Sequence, residues 1–124
     1  VVVVVGKCDI GASGERIAGE YLKLSGYRIL ETNYRSGHLE IDLIAEKNGC
    51  LVFIEVKTRR DDSFGGALES VSDSKLGNIR TAARLYLSSA PRRTGYAEYR
   101  FDLVAIDLDR KGDGLVLRHV KGIT

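Results

Sequence analysis

The dipeptide Asn48-Gly49, set between the runs Glu40–Lys47 and Cys50–Lys57, constrains this chain more than any other feature. A two-residue hairpin loop of type I′ needs positive φ at both central residues, which Asn-Gly supplies at little cost. With those two residues as the loop, Lys47 faces Cys50, and each further pair of facing residues has numbers summing to 97. Asp42 then lies opposite Glu55, and Glu40 opposite Lys57. Strand alternation puts these four charges on one face with Ile44 and Phe53. Ile41, Leu43 and Ala45 face Val56, Ile54 and Val52 on the other. A one-residue slip would scatter the arrangement, so everything that follows depends on register.

Like charges directly opposite each other destabilise a sheet. The Asp42–Glu55 pair therefore calls for a cation. Lys57 is one candidate, and a divalent metal is a better one, because hard cations take carboxylate oxygens, water and phosphate. The ordinary alternative is a solvated salt-bridged face. The run Leu51-Val52-Phe53-Ile54 weighs against it, because a strand apolar on both faces reads as central in its sheet.

The 124 residues suit one domain. Residues 1–10 stand apart as an atypical, unassigned segment opened by five valines, and residues 11–124 are read as a single domain. A hydrophobic content of 44% with 29% charged residues is that of a globular protein, and no stretch is apolar enough to span a membrane. The net charge of +2 supports no nucleic-acid argument by itself. The cations are clustered instead: Lys57, Arg59 and Arg60 follow the hairpin, Arg80 and Arg84 lie one helical turn apart, and Arg92-Arg93 follow Pro91. Such clusters track phosphates, although solvated surface explains each equally well. Cys8 and Cys50 make neither metal spacing nor a disulfide framework. A reducing cytoplasm is the simplest setting. His38 and His119 stand alone and read as surface or packing residues.

Hydrophobic periodicity predicts a helix over 12–25, with Ile17, Tyr21 and Leu24 along its apolar stripe and Gly26 as its C′ residue. A strand over 27–33 and a turn at Arg35-Ser36-Gly37 lead to the hairpin. A polar, glycine-containing loop follows. Ser72 or Asp73 caps a second helix with Leu76, Ile79, Ala83, Tyr86 and Leu87 on its apolar face, and Pro91 stops it. Lys75 sits in the first turn of that helix, where the dipole does not favour a cation. Two further strands, in 99–108 and 114–121, complete an α/β sandwich.

Gly14-Glu15 at a helix start, "EIDLIA" at 40–45, "VFIEVKTR" at 52–59, Phe64-Gly65, Lys75 and "RFDLVAI" at 100–106 together resemble the YraN family of small bacterial proteins. The match covers about residues 11–106. It implies a restriction-endonuclease-like fold, with a central mixed sheet of four to five strands flanked by helices in the order α-β-β-β-α-β-β. The spacing from Asp42 to Glu55-Val56-Lys57 is similar to the signature of PD-(D/E)xK nucleases, archaeal Holliday-junction resolvases among them. Two departures are His38-Leu39 between Gly37 and Glu40, where the family has glycine directly before the glutamate, and the valine run.

The resemblance implies a catalytic set of Glu15, Asp42, Glu55 and Lys57. Asp42, Glu55 and the Val56 carbonyl would hold Mg²⁺ or Mn²⁺, with Glu15 completing the acidic cluster. Lys57 would orient water and stabilise charge on a scissile phosphate. Arg59, Arg60, Lys75, Arg92 and Arg93 would contact DNA, branched or repair-intermediate forms included. The implied function is metal-dependent phosphodiester hydrolysis in DNA; a homodimer is one assembly open to such a chain. Two other classes compete with it: a nucleic-acid-binding module of the same fold that does not turn over, and a protein-interaction domain that pairs through its Val1–Val5 edge.

Overall fold

Asn48 and Gly49 adopt φ of 51° and 78°, and the ladder runs from Lys47–Cys50 to Leu43–Ile54 in the register that sums to 97. The structure, a computed structural model, describes residues 2–5, 14–60, 66, 72–89, 95–108 and 114–124. Its elements are β1 (Val2–Val5), α1 (Gly14–Leu24), β2 (Arg28–Ser36), β3 (Leu39–Lys47), β4 (Cys50–Arg60), α2 (Asp73–Ser88), β5 (Glu98–Leu108) and β6 (Leu115–Lys121). The strands form one sheet in the order β1-β6-β5-β4-β3-β2. β4 and β5 are parallel and every other pair is antiparallel. A parallel pair needs a long crossover, and the connection containing α2 supplies it.

From α1 onward the order is the expected α-β-β-β-α-β-β of a restriction-endonuclease-like sandwich. The sheet has six strands rather than four or five, because the valine run pairs with β6, Val2 opposite Arg118 and Val5 opposite Leu115. The proposed boundary at residue 11 lies outside the described residues.

Helix α1 stops as its sequence dictates. Gly26, at φ 93°, donates to the Lys23 carbonyl at 3.1 Å, and Tyr27 donates to the Leu22 carbonyl at 2.9 Å. These two bonds make a Schellman motif, whose left-handed residue favours glycine. The turn brings Tyr27 back into the core and leaves Leu24, expected on the apolar stripe, 90% exposed. Ala18 and Leu22 carry the buried face. Helix α2 is capped by the Ser72 hydroxyl, which accepts from the Lys75 N–H at 3.2 Å. Strand β2 runs on to Ser36, so the turn falls at Gly37-His38 instead of Arg35-Ser36-Gly37, with Ser36 paired to Leu39.

The sheet separates two apolar layers. Leu43, Ala45, Val52, Ile54, Val104 and Ile106 pack with Ala18 and Leu22 of α1. Ile44, Leu51 and Phe53 pack with Ile79, Ala82, Ala83 and Tyr86 of α2. Ile41 joins the α2 layer, not the layer of Leu43 and Ala45 as alternation predicts. The face therefore changes between Ile41 and Leu43, at Asp42. β2 changes face at the matching point. Thr32 lines the α1 side with Leu43, whereas Tyr34 packs in the α2 layer. Between them Asn33 holds a φ of 51°. The pairs Thr32–Leu43 and Tyr34–Ile41 place Asn33 opposite Asp42.

His119, read from sequence as a surface or packing residue, is buried in a polar network. Tyr21 Oη and Asp102 Oδ2 lie 2.8 and 2.7 Å from its two ring nitrogens. Asp102 also accepts from Arg100 Nε at 2.8 Å, Arg100 Nη2 at 2.9 Å and the Gly122 N–H at 3.1 Å. Burial alone would raise the Asp102 carboxyl, but His119, Arg100 and Gly122 outweigh it and hold it below its ordinary value.

Candidate metal centre at the open end of the hairpin

The β3–β4 ladder opens where the charges begin. Continued one hydrogen-bonded pair further, its register would set Val56 against Ile41. Instead the Val56 N–H donates to Asp42 Oδ2 at 2.8 Å. A side chain has replaced a backbone acceptor, so the Asp42 carboxylate sits between the strands rather than on one face. That position lets it reach both sides of the sheet.

On the α1 side, Glu15, Glu40 and Asp42 bring carboxylate oxygens within 4.8 Å of one another. Glu15 is delivered by the first turn of α1, which is pressed against β4: a Cβ on Gly14 would lie 1.9 Å from Thr58 Oγ1. Only glycine fits that approach. Glu40 arrives one residue into β3 and also meets Arg35 of β2 at 3.5 Å. On the α2 side, Asp42 neighbours Glu55, and each carboxyl acts on the ionisation of the other. Glu55 is 3% exposed and lies 3.4 Å from Lys75 Nζ.

The electrostatics follow from this crowding. Burial pushes the Asp42 carboxyl up, and Glu40 adds to it, against the pull of the Val56 N–H, Glu55 and Lys75. Burial pushes Glu55 up to about 7, with Asp42 adding to it and Lys75 and Lys57 opposing. Two neighbouring carboxyls that resist ionisation together form a site that gains from a cation. Three carboxylates at this spacing suit a hard divalent ion, whose oxygen ligands surround it at ~2.0–2.6 Å. Glu15, Glu40 and Asp42 are the residues that would hold it.

Of the residues singled out from the sequence, Glu15, Asp42, Glu55 and Lys57 converge here. Glu55 neighbours Asp42 but is not one of the three clustered carboxylates, because its strand turns it toward α2 and Lys75. The Val56 carbonyl shares the strand edge that its N–H presents to Asp42. Lys75, expected on DNA, lies 3.4 Å from Glu55 and is 41% exposed. Its place in the first turn of α2, against the helix dipole, was the available signal. Glu40 was visible on the charged face but received no role. Arg59 is exposed at the end of β4. The Arg60 side chain, Arg92 and Arg93 lie outside the described residues.

Residues 14–106 match the family described as "Uncharacterised protein family UPF0102". A UPF0102 protein of Syntrophomonas wolfei is 46% identical over 98 residues, covering 79% of this chain and 84% of its own. One of Chloroherpeton thalassium is 44% identical over 99 residues, covering 80% and 75%. One of Mycolicibacterium vanbaalenii is 38% identical over 117 residues, covering 94% of each chain. The matched span opens at Gly14 and contains Glu15, Glu40, Asp42, Glu55, Lys57 and Lys75. Among the described residues, no helix is long and apolar enough to cross a membrane.

Proposed function

Because this chain belongs to the family UPF0102, a designation that specifies no reaction, we infer that its activity is the one its acidic site supports: metal-dependent hydrolysis of phosphodiester bonds in DNA. One observation carries the reading. Asp42 leaves its face of the sheet to accept a backbone N–H between β3 and β4, and so joins Glu15 and Glu40 to Glu55. A purely structural hairpin would close its ladder at this point and avoid a buried carboxylate pair.

A bound Mg²⁺ or Mn²⁺ supplies charge neutralisation and activates water. Glu15, Glu40 and Asp42 anchor that charge on a rigid sheet and a packed helix start. Glu55, poised near neutrality, is placed to take a proton from water. Lys57, two residues after Glu55 on β4, acts on the same carboxyl at the open end of the hairpin, and there its ammonium would meet developing charge on phosphate. Lys75 fixes the Glu55 carboxylate. Arg59, at the rim, holds the DNA backbone.

The competing reading is a binding module of the same fold that does not turn over. The Lys75–Glu55 pair favours it, since it offers Glu55 a counter-charge without metal. Linear, nicked and four-way DNA incubated in Mg²⁺, Mn²⁺ or EDTA separates the two. Hydrolysis expects cutting in metal, none in EDTA, and none by Lys57→Ala or Asp42→Asn. Salt-sensitive binding with no cutting in any metal selects the binding module. No affinity at low salt removes DNA from both.

A further inference from the structure

We propose that the cleft between α1 and β2 receives the unpaired nucleoside next to the scissile phosphate, so that the preferred DNA carries an unstacked nucleotide at the cut. This inference rests on the hydrolase reading above and deepens it. The cleft has a volume of about 470 Å³ and shares Glu15 with the acidic triad. That volume lies within the ~300–1,000 Å³ of small-molecule sites.

Two features of the chain keep the cleft as it is. Gly19 lies inside α1, where glycine weakens a helix relative to alanine. Nothing lies within 4 Å of where its Cβ would be, so packing does not require glycine there. What the missing side chain does is leave the cleft open. Asn33, across from it, holds a left-handed φ of 51° within a strand, at the point opposite Asp42 where β2 changes face. A strained strand residue beside a site is a recurrent way to aim a side chain.

The lining selects the ligand. Leu43 and Ile29 give an apolar floor, and Thr32 and Asn33 give a hydroxyl and a carboxamide on the wall. A flat apolar surface beside an amide that donates and accepts is the chemistry that reads a nucleobase edge. Two acids, Glu15 and Glu20, and two bases, Arg16 and Lys23, line the rest of the cleft, so its charge is balanced and the apolar floor and the amide carry the selection. A base can enter only if it is out of its stack, which makes unpaired or easily extruded nucleotides the matching substrate class.

The test compares cutting of a fully paired duplex with cutting of the same duplex carrying one unpaired nucleotide beside the cut, in Mg²⁺. Wild type should favour the unpaired substrate by roughly tenfold, in line with the worth of one base contact. Gly19→Leu sends a side chain into the cleft from a Cβ that has nothing within 4 Å of it, and replaces glycine by a better helix former. Its melting temperature should not fall, and its preference ratio should drop to near one. Asn33→Gly keeps the backbone angle, removes the carboxamide and should lose the same preference, so the test survives if Gly19→Leu misfolds. Cutting by wild type without preference, or preference kept in both variants, overturns this inference alone. A wild type that cuts no DNA in Mg²⁺ or Mn²⁺ overturns the hydrolase reading and this one with it.

Discussion

The Val56 N–H donates to the Asp42 carboxylate at 2.8 Å, where the hairpin register would have it donate to the Ile41 carbonyl. Asp42 is thus both a structural acceptor and the hub of the acidic site. The two roles separate by substitution. Asp42→Asn retains a carbonyl oxygen for Val56 but loses the charge, so stability should hold while Mn²⁺ affinity falls. Asp42→Ala leaves the N–H without its acceptor and should cost about 1–3 kcal/mol. Calorimetric Mn²⁺ titration and urea melts on both variants read this out. Equal Mn²⁺ affinity in wild type and Asp42→Asn would remove the metal from Asp42.

Glu55 predicts an unusual pH dependence. Its carboxyl is raised from the ordinary range to about 7, by burial first and Asp42 second. A raised carboxyl binds its proton more tightly when folded than when unfolded. Its stabilising contribution is full below the unfolded value of ~4.3 and is lost as pH rises through the folded value. In EDTA, Glu55→Gln should therefore match wild type near pH 4 and exceed it at pH 8, by about 1–3 kcal/mol. Lys75 is 41% exposed and tolerates losing its partner. Thermal melts across that range would show the gap; a variant less stable at pH 8 would mean that Glu55 sits comfortably ionised.

Asp102 has the opposite sign. Burial works against its ionised form, but His119, Arg100 and the Gly122 N–H prevail and depress its carboxyl. Its contribution is complete above the unfolded value of ~3.9 and disappears as pH falls through the lower folded value. Asp102→Ala strands Arg100 and His119 and should cost about 3 kcal/mol or more at neutral pH. Asp102→Asn should lessen the dependence of stability on pH on the acid side. The DNA cutting proposed for this chain should persist in that variant below its melting temperature, since the network joins β5, β6 and α1. Chemical melts from pH 2 to 7 settle the sign, and a steeper acid limb in Asp102→Asn would contradict it.

What the sequence made legible was what short-range chemistry determines. Asn48-Gly49 set a register that held for five pairs, Gly26 ended α1, and Ser72 capped α2. What it hid depends on where distant segments meet. Alternation put Ile41 with Leu43 because nothing local announces that Asp42 will enter the sheet and shift the face. Lys75 looked like a misplaced surface cation until α2 was packed over Glu55. His119 looked solitary because Tyr21, which meets it, is 98 residues away. The valine run offered an edge for pairing but not its partner, since β6 lies at the far end of the chain.

Gly14 gives the most direct test of how α1 serves the site. A Cβ at that position would fall 1.9 Å from Thr58 Oγ1 and 3.1 Å from Thr58 Cβ. Relief of the first approach takes a χ1 rotation of Thr58 or a shift of the α1 start, and the 3.1 Å approach to Thr58 Cβ, which no rotation moves, favours the shift in Gly14→Ala. The helix keeps its buried face through Ala18 and Leu22, further along. The displaced residue next in line is Glu15, one of the three clustered carboxylates. Gly14→Ala should therefore fold, with a loss of about 1–3 kcal/mol from overpacking, and bind Mn²⁺ several-fold more weakly. Thr58→Ala removes the hydroxyl that makes the 1.9 Å contact and leaves only the tight 3.1 Å approach. The double variant should recover most of the Mn²⁺ affinity, although neither residue touches the ion. Calorimetry on wild type, both single variants and the double gives the coupling directly. Additive effects, with no recovery in the double variant, would mean that the Gly14–Thr58 contact does not place Glu15.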